Sequence, residues 1–363
     1  MLTTQWFTAN VNTAAGRQRQ IWVAYSGGVD SHVLLDLARR SFPNVRAVHI
    51  NHGLSALDDQ WQQHCEMVCA NLEIPLQSIR VTAVAKPGQS HENVARIARR
   101  NAWCTMLQAN DLLLIAHHAA DQAETILYRL LRGAGPKGLS GIKAKTKLGV
   151  ATLLRPLLNI TKAEILEYAQ VNNLNWLQDP TNYNNNFDRN YIRNTILPVM
   201  LQRWPAAIAN INRAAQLCDR SSNLVSQQAT VKLQDILLGD NTLDLLKLLQ
   251  EPPHWQHEIL RLWLSRSNIT PSLQQLEIIC AEVIGARLDA QPEYVIANWI
   301  LKRSNNKLYL LVNQVLPVSS HGRKAKKIFQ QHGIPPWERA KYPLVFADNK
   351  LVAIVGLWNA KSE

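Results

Sequence analysis

The sequence lacks long apolar runs and paired-cysteine motifs, and each absence excludes a class of protein. No run approaches the roughly 20 apolar residues that span a bilayer. Residues 1–20 show no charged start followed by an apolar stretch, so we expect no signal peptide, no membrane partner and a cytoplasmic location. The five cysteines are an odd number without a CxxC pair, which favours reduced thiols over a disulfide framework or a zinc site.

Acidic residues are under-represented relative to basic ones. The 363 residues include 39 Lys and Arg but 27 Asp and Glu, a net charge of +12. Such a surplus attracts polyanions, because each contacted phosphate releases counterions, although many basic proteins bind no nucleic acid. The hydrophobic fraction of 47% is typical of a globular protein, and the length predicts two or three domains.

The first half of the chain alternates between strand-like and helix-like patterns. Four short apolar runs predict buried parallel strands, at Ile21–Ser26, Val45–Asn51, Gln77–Ala83 and Leu112–His118. Stretches of period 3.6 between them predict helices, at Ser31–Arg40, Asp58–Leu72 and Glu92–Ala109. This spacing fits right-handed βαβ crossovers, so we predict an α/β fold with a doubly wound parallel sheet whose ligands bind at the carboxyl ends of the strands.

The second half predicts different architecture. A Gly/Lys-rich loop at 132–147, a strand-like run at Val150–Leu154, a helix at Lys162–Asn172 and an Asn-rich loop at 179–190 lead into a helical stretch at 205–286. Alternation at Glu293–Leu301 and Lys307–Val312 predicts a hairpin, and the tail predicts a basic helix followed by two strands. We therefore predict a catalytic domain at 1–205, a mainly helical domain at 206–316 and a small basic α+β domain at 317–363.

The hexapeptide Ser-Gly-Gly-Val-Asp-Ser at residues 26–31 follows the first strand. Its glycines allow a sharp turn that leaves N–H groups free to face an anion at a helix N-terminus. Asp30 beside a phosphate makes sense if Mg²⁺ bridges the two negative groups. The alternative is a glycine turn in which Asp30 or Ser31 caps the helix. The Walker A lysine is missing, which disfavours an ordinary P-loop NTPase.

This hexapeptide resembles the SGGxDS signature of the N-type ATP pyrophosphatases. The resemblance implies that the loop holds the β,γ-phosphates of ATP while AMP is transferred to a substrate oxygen. It also implies that backbone groups at the end of the second strand read the adenine. The ATP-binding residues expected on this basis are Ser26, Gly27, Gly28, Val29, Asp30, Ser31, Ile50 and Asn51.

The predicted helix from Glu92 carries Arg96 and Arg99 or Arg100 on one face. The pattern fits a solvated face with i, i+4 pairing. It also fits a guanidinium that faces the triphosphate, since planar donors match phosphate oxygens.

Asp121 and Glu124 lie three residues apart at the start of a further helix, so their carboxylates share a face. They could complement the helix dipole. Near an ATP loop, they could instead bind Mg²⁺ or a cationic amine substrate.

The segment His117-His118-Ala119-Ala120-Asp121-Gln122-Ala123-Glu124-Thr125, together with the Gly-rich run Arg132–Gly141, resembles the tRNA(Ile)-lysidine synthetase family. That family has HHxDDQxET followed by RGxGxxGLxG. The resemblance continues through Leu154–Leu158, Trp176, Asp179–Asn182, Arg189–Arg193 and the tail after residue 321.

The family resemblance implies a fold like the adenine-nucleotide alpha hydrolases and a ligase that forms a carbon–nitrogen bond. ATP, with Mg²⁺, would adenylate the C2 oxygen of the wobble cytidine in the CAU anticodon of tRNA(Ile), releasing pyrophosphate. The ε-amine of L-lysine would then attack C2 to give lysidine, releasing AMP. Catalytic roles are expected for Asp30, Arg96, Asp121, Glu124 and Arg193, with Asp30 and Asp121 as metal ligands. Contacts to tRNA are expected from Arg132, Lys137, Arg189, Arg193, Arg323, Lys324, Lys326 and Lys327. The sequence leaves a homodimer open.

The sequence departs from the family at three places. Ala120 replaces the first of two adjacent aspartates, and Arg100 replaces an aromatic residue. The tail after Leu316 leads almost at once into its basic helix, so the strands that usually open the family's C-terminal domain are absent or much shortened. Two alternatives therefore stay open: another ATP pyrophosphatase that modifies tRNA, such as a thiolation enzyme, and a catalytically impaired relative that binds tRNA.

Overall fold

The computed structural model describes residues 2–15, 20–53, 56–82, 91–178, 180–239, 241–287, 290, 292–312, 322–339, 342–347 and 350–359. The chain divides into two compact units, Met1–Ser222 and Asn223–Glu363. The domain limits at 205 and 316 that the sequence suggests stay predictions.

A six-stranded sheet forms the centre of the first unit. Its strands are β1 (Ile21–Ala24), β2 (Val45–Asn51), β3 (Leu76–Arg80), β4 (Leu112–Leu114), β5 (Lys145–Leu148) and β6 (Ala151–Leu154). Their order is β3-β2-β1-β4-β6-β5, and all neighbours run parallel except the edge strand β5, which is antiparallel to β6. The predicted α/β fold with a parallel sheet is confirmed.

The helices that begin in the described part of the first unit are α1 (Thr4–Ala15), α2 (Val29–Ser41), α3 (Ala56–Asn71), α4 (His91–Met106), α5 (Ala119–Leu131), α6 (Pro136–Leu139), α7 (Lys162–Val171), α8 (Asp188–Tyr191), α9 (Leu197–Arg203) and α10 (Ala207–Ile236), the last of which continues past Ser222. Helices α1, α2, α3 and α7 pack on one face of the sheet, and α4 packs on the other. A 3₁₀ turn (Pro180–Tyr183) precedes α8, and a π-helical segment (Ile192–Ile196) joins α8 to α9.

Alternate residues of β1 belong to different cores, as the period of two in a strand requires. Ile21 and Val23 pack in the core that α1, α2, α3 and α7 share. Trp22 packs on the other face with Trp103 and Leu107, at the end of α4. Burial on both faces explains why the strand sequence is continuously apolar.

The strand order places the site. The chain moves from β1 to β2 and β3 on one side and returns to β4 on the other. The carboxyl ends of β1 and β4 therefore flank the point where the connections diverge, and a crevice opens there in sheets of this kind. The loop of Ser26–Ser31 follows β1, and the segment of His117–Asp121 follows β4.

The second unit contains two smaller sheets. The first has the order β7-β10-β9-β8, from β7 (Leu243–Asp244), β8 (Glu293–Ile296), β9 (Trp299–Ser304) and β10 (Lys307–Val312). It shares a core with α11 (Leu245–Gln250), α12 (Pro253–Ser265), α13 (Leu273–Ile278) and the π-helical segment Ile279–Ile284. The second comprises β11 (Leu344–Ala347), β12 (Lys350–Ile354) and β13 (Trp358–Asn359), with α14 (Arg323–Gln331) packed on it.

Three local predictions were wrong. The predicted strand Leu112–His118 ends at Leu114, because His118 caps the next helix. The predicted loop at 132–147 contains α6 and most of β5. The predicted strand Glu293–Leu301 is two strands, β8 and the start of β9, joined by a tight turn in which Ala297 has φ +51°. A left-handed alanine is uncommon, so composition did not reveal this turn.

All five cysteines are free thiols, as the odd count predicts. Cys65 and Cys69 lie in the core, and burial raises the pKa of each thiol to about 12. In the parts of the chain that the structure describes, no helix combines the length and apolarity needed to cross a bilayer.

Candidate functional site

The Ser26–Ser31 loop turns directly into α2. Gly28 is the N-cap residue, and within the described residues no side chain caps this helix, so its first N–H groups can face an anion. Ser31 Oγ donates to the Gly28 carbonyl at 2.9 Å and lies 3.1 Å from Ser26 Oγ. Gly27 has φ +83°, and a Cβ there would lie 3.2 Å from Cys65 Sγ, so this position requires glycine.

A distant segment fixes this loop. The Leu177 N–H donates to the Gly27 carbonyl at 3.0 Å, and His32 Nδ1 lies 2.7 Å from the Asn175 carbonyl. Burial lowers the pKa of His32. Sequence reasoning did not identify these contacts, which join residues more than a hundred positions apart in the chain.

Asp30 forms an ion pair that the sequence did not predict. Lys162, the first residue of α7, donates from Nζ to Asp30 Oδ1 at 2.6 Å. Thr161 and Glu164 form a capping box that starts α7 at this point, so the cap positions Lys162. The capping pattern was visible in the sequence, but the partner of Lys162 was not.

His118 connects the β1 and β4 loops. His118 caps α5: its ring Nδ1 accepts from the backbone N–H of Ala120. The backbone N–H of His118 donates to Asp121 Oδ2 at 3.0 Å. Because Nδ1 accepts, the neutral ring carries its proton on Nε2. Nε2 lies 3.8 Å from Asp30 Oδ1 and 3.6 Å from Asp121 Oδ2. The Asp30 and Asp121 carboxylates thus flank one imidazole.

Asp121 and Glu124 face the same way, and two arginines lie against them. Arg193 donates from Nε to Glu124 Oε1 at 2.7 Å and from Nη2 to Asp121 Oδ1 at 3.0 Å. Arg189 donates to Glu124 Oε2 at 3.1 Å and to Asp121 Oδ1 at 3.3 Å. We call Asp121, Glu124, Arg189 and Arg193 the four-charge cluster. Its charges balance, and the two signs lie side by side.

The surroundings shift the pKa values in this cluster. Burial raises the pKa of Asp121, but His118, His117 and Arg189 outweigh it and lower the pKa overall. Burial lowers the pKa of Arg193, yet its bonds to Glu124 raise the pKa above the ordinary value. Both groups are therefore held in their charged forms.

His117, the residue before His118, has a different partner. Arg155 donates from Nε to His117 Nδ1 at 2.9 Å. Burial lowers the pKa of His117 to about 4 and that of Arg155 to about 10, and Arg100 adds to the shift of Arg155. His117 is thus a neutral acceptor that orients Arg155.

The structure assigns other contacts to the remaining predicted residues of the first unit. Asn51 is buried and donates to Asp59 and Gln62 on α3, while its carbonyl accepts from Val81. Ile50 precedes it in β2, paired with Ile79 of β3. Their predicted role towards adenine stays a prediction.

Three further basic residues predicted in the first unit, Arg96, Arg132 and Lys137, lie at exposed positions. Arg96 donates to Asn93, one turn earlier in α4. Arg132 lies over the Tyr128 ring and donates to its hydroxyl, and Lys137 is exposed in α6.

In the second unit, Lys324 lies 4.9 Å above the Trp358 ring, and Lys326 and Lys327 are exposed on α14. Asp179 and the side chains of Glu92 and Arg323 lie outside the described residues.

Comparison with known proteins adds to this geometry. Residues 3–200, more than half of the chain, match the family described as the PP-loop domain. Residues 243–309 match the TilS substrate binding domain, and residues 314–363 match the TilS substrate C-terminal domain. The tRNA(Ile)-lysidine synthase of Coxiella burnetii is 38% identical over 92% of this chain and 88% of its own length. The chain belongs to the tRNA(Ile)-lysidine synthase family.

A second relative supports the same assignment. The tRNA(Ile)-lysidine synthase of Serratia proteamaculans is 34% identical and covers 97% of this chain and 94% of its own length. Among solved structures, the U34-tRNA thiolase NcsA of Methanococcus maripaludis has a TM-score of 0.49 and 18% identity, covering 59% of this chain and 78% of that one. The family resemblance that the motifs carry is confirmed, and the PP-loop domain makes this an ATP-using enzyme family.

Proposed function

We propose that this chain ligates L-lysine to C2 of the wobble cytidine in the CAU anticodon of tRNA(Ile), using ATP, and so forms lysidine. Membership of the tRNA(Ile)-lysidine synthase family supports the substrate. The observation that carries the chemistry is the position of His118, whose Nε2 lies within 4 Å of both Asp30 and Asp121. Asp30 lies in the Ser26–Ser31 loop, which we call the PP-loop, and Asp121 lies in the four-charge cluster. The proposed site for the nucleotide therefore adjoins the proposed site for the amine substrate, lysine.

The PP-loop is suited to hold the pyrophosphate part of ATP. The free N-terminus of α2 and the hydroxyls of Ser26 and Ser31 offer donors to phosphate oxygens. Lys162 adds a positive charge beside them. Adenylation would convert a poor leaving oxygen on the base into a good one, so the chain contributes mainly positioning and charge neutralisation.

The residues fit a Mg²⁺ ion that arrives with ATP. Among the described residues no group of three or more His, Cys, Asp or Glu could hold a metal by itself. Mg²⁺ commonly uses one or two carboxylates together with substrate phosphates, and would neutralise phosphate charge. Asp30 is partly exposed beside the phosphate site and can supply one carboxylate. Asp121 already accepts from His118, Arg189 and Arg193, so its contacts favour a role in the cluster.

The four-charge cluster suits lysine. Free lysine carries a carboxylate and two ammonium groups, so a site for it needs both signs of charge. Asp121 would accept the ammonium, the buried Glu124 would add negative charge behind it, and Arg193 would neutralise negative charge on the substrate. Arg96 keeps the same predicted role towards phosphate, on sequence grounds.

Incorporation of radiolabelled lysine tests the proposal. Wild-type protein, ATP and an isoleucine tRNA with a CAU anticodon should give labelled tRNA and AMP, whereas a methionine tRNA with the same anticodon serves as the comparison. Binding of the tRNA without incorporation would instead support the catalytically impaired relative. Absence of both would refute the assignment.

Ala120 is expected to limit the rate. It lies in the first turn of α5, between His118 and Asp121, where the family resemblance predicts an aspartate. An added carboxylate would lie near the α5 N-terminus, where negative charge is favourable, and beside the proposed Mg²⁺. Ala120→Asp should therefore raise the rate of lysine transfer, measured in single-turnover assays. Ala120→Asn is the matched control of similar size, and an unchanged rate in Ala120→Asp would remove this position from the mechanism.

The basic face of α14 is expected to bind the tRNA backbone. Ala325, Ile328 and Phe329 are buried, which leaves Lys324, Lys326 and Lys327 exposed. Replacing these three lysines with glutamine should weaken tRNA binding and reduce its salt dependence by about one slope unit per lost phosphate contact.

Filter binding over a range of salt concentrations measures both effects. Arg220→Gln removes an exposed charge of α10, outside the ranges that match the PP-loop and TilS substrate domains, and is the control. Equal affinity and equal salt slope in the triple variant would show that the lysines are only solvated.

A further inference from the structure

Three aromatic side chains are exposed in the stretch of chain that also carries Arg189 of the four-charge cluster. Tyr183, Phe187 and Tyr191 recur every four residues, with exposed fractions of 71%, 42% and 47%. Within the described part of the chain, no ring contact, cation contact or hydroxyl hydrogen bond involves any of the three. Large aromatic side chains usually bury their rings, so three neighbouring exposed ones call for a function.

Asparagine side chains hold this segment in one conformation. Asn194 Nδ2 donates to the Asn182 carbonyl at 2.8 Å and to Asn185 Oδ1 at 2.9 Å. Asn190 Nδ2 donates to the Asn184 carbonyl at 2.9 Å. These bonds attach the loop that follows Tyr183 to the helical segment that follows Phe187. The rings are therefore presented by a fixed backbone, which lowers the entropy lost when a ligand binds.

Phe187 and Tyr191 lie on a different face of their helical segment from Arg189. The Tyr191 N–H donates to the Phe187 carbonyl at 2.9 Å, so these two residues are one helical turn apart. Arg189 lies two residues from each, about 200° around the helix axis. Arg189 contacts Asp121 and Glu124, so helix geometry places Phe187 and Tyr191 on the opposite side of this short helix. The rings therefore belong to the segment that borders the cluster, where the parts of a ligand that flank the bound group can contact them.

We propose that Tyr183, Phe187 and Tyr191 stack on unpaired nucleotides that flank the modified base of the RNA loop. The inference rests on the proposed function, which requires a target base splayed out of its loop. Unpaired bases are bound mainly by stacking on aromatic rings, with nearby amides and cations. The surface around the rings carries exposed asparagines, at 184–186, and the chain has a net charge of +12. This composition favours RNA over the apolar interface of a protein partner.

Leucine substitutions test the proposal, because leucine keeps an apolar side chain and removes the stacking face. The probe is a synthetic CAU anticodon stem-loop with 2-aminopurine beside the wobble position, a base whose fluorescence falls on stacking. Tyr183→Leu, Phe187→Leu and Tyr191→Leu should each weaken binding by about ten-fold and lose part of the quenching. Tyr183→Trp retains a ring and should behave as wild type. Val199→Ala, an exposed apolar position on α9, is the control.

The outcomes separate this inference from the proposed function. If wild type transfers lysine to tRNA and the leucine variants keep wild-type KM for tRNA, the stacking surface is refuted and the function stands. If wild type quenches the probe and the variants do not, but no lysine is transferred, the function is refuted and the surface stands. A change in oligomeric state by light scattering, with RNA binding unchanged, would assign the rings to an interface between copies and overturn the proposal.

Discussion

Replacing Asp30 with alanine is expected to lower the rate of ATP-dependent lysine transfer by at least about a hundred-fold, with tRNA binding largely kept. Asp30 is the carboxylate that opens the first turn of α2, it pairs with Lys162, and it faces His118. Its loss would remove the proposed Mg²⁺ ligand and leave Lys162 without its carboxylate. Single-turnover transfer and filter binding of tRNA measure the two properties.

Asp30→Asn separates charge from shape. Asparagine keeps the size and a donor–acceptor pair, so a comparable loss of rate would assign the effect to the negative charge. Asp235→Ala, which removes an exposed carboxylate of α10, is the control and should transfer lysine at the wild-type rate. Full activity in Asp30→Ala would refute the assignment of the PP-loop as the site of ATP activation.

Replacing Glu124 with glutamine should both destabilise the first unit and impair lysine binding. Glu124 is fully buried and accepts from Arg189 and Arg193, so the change leaves two guanidinium groups facing Asp121 alone. Breaking a buried ion pair costs about 3–5 kcal/mol. Both guanidinium groups are about a third exposed, so solvent screens their charges and reduces this cost. We therefore expect the free energy of unfolding of the variant to be lower than that of the wild type by about 2 kcal/mol.

Urea denaturation measures the stability of this variant, and the KM for lysine measures binding. Glu167→Gln, at an exposed position on α7, is the matched control. The expected result is a raised KM for lysine with an unchanged KM for ATP. Equal rises in both would show that the cluster acts by holding the fold together, and no change in either would refute its proposed role.

The two predictions divide the reaction between two parts of one site. Asp30 lies on the nucleotide side, Glu124 lies on the amine side, and His118 and Asp121 lie between them. Ala120 lies in the same turn of α5. A variant at this turn is therefore expected to slow lysine transfer while ATP and tRNA still bind, so the rate of transfer and the binding of each substrate are separate readouts.

Much of the fold followed from local patterns in the sequence. The predicted range Val45–Asn51 coincides with β2, and the other strand and helix positions in the first half are close to the observed ones, except that the strand from Leu112 ends four residues early. These elements have strong period-2 or period-3.6 patterns, or continuous apolar runs, because each buries a face in the central sheet. The turn at Ala297 was not predicted, because its backbone conformation depends on strand pairing rather than on a glycine.

The sequence by itself determined the family, the parallel sheet and the shared face of Asp121 and Glu124, because these depend on motif spacing and helix geometry. Only the tertiary structure decided which side chains the carboxylates of Asp30, Asp121 and Glu124 contact. Lys162 reaches Asp30 across 132 residues of chain, and Arg193 reaches Glu124 across 69. Such ion pairs form because the strand order brings the ends of β1 and β4 together. The local sequence around a charged residue does not identify a partner that is distant in the chain.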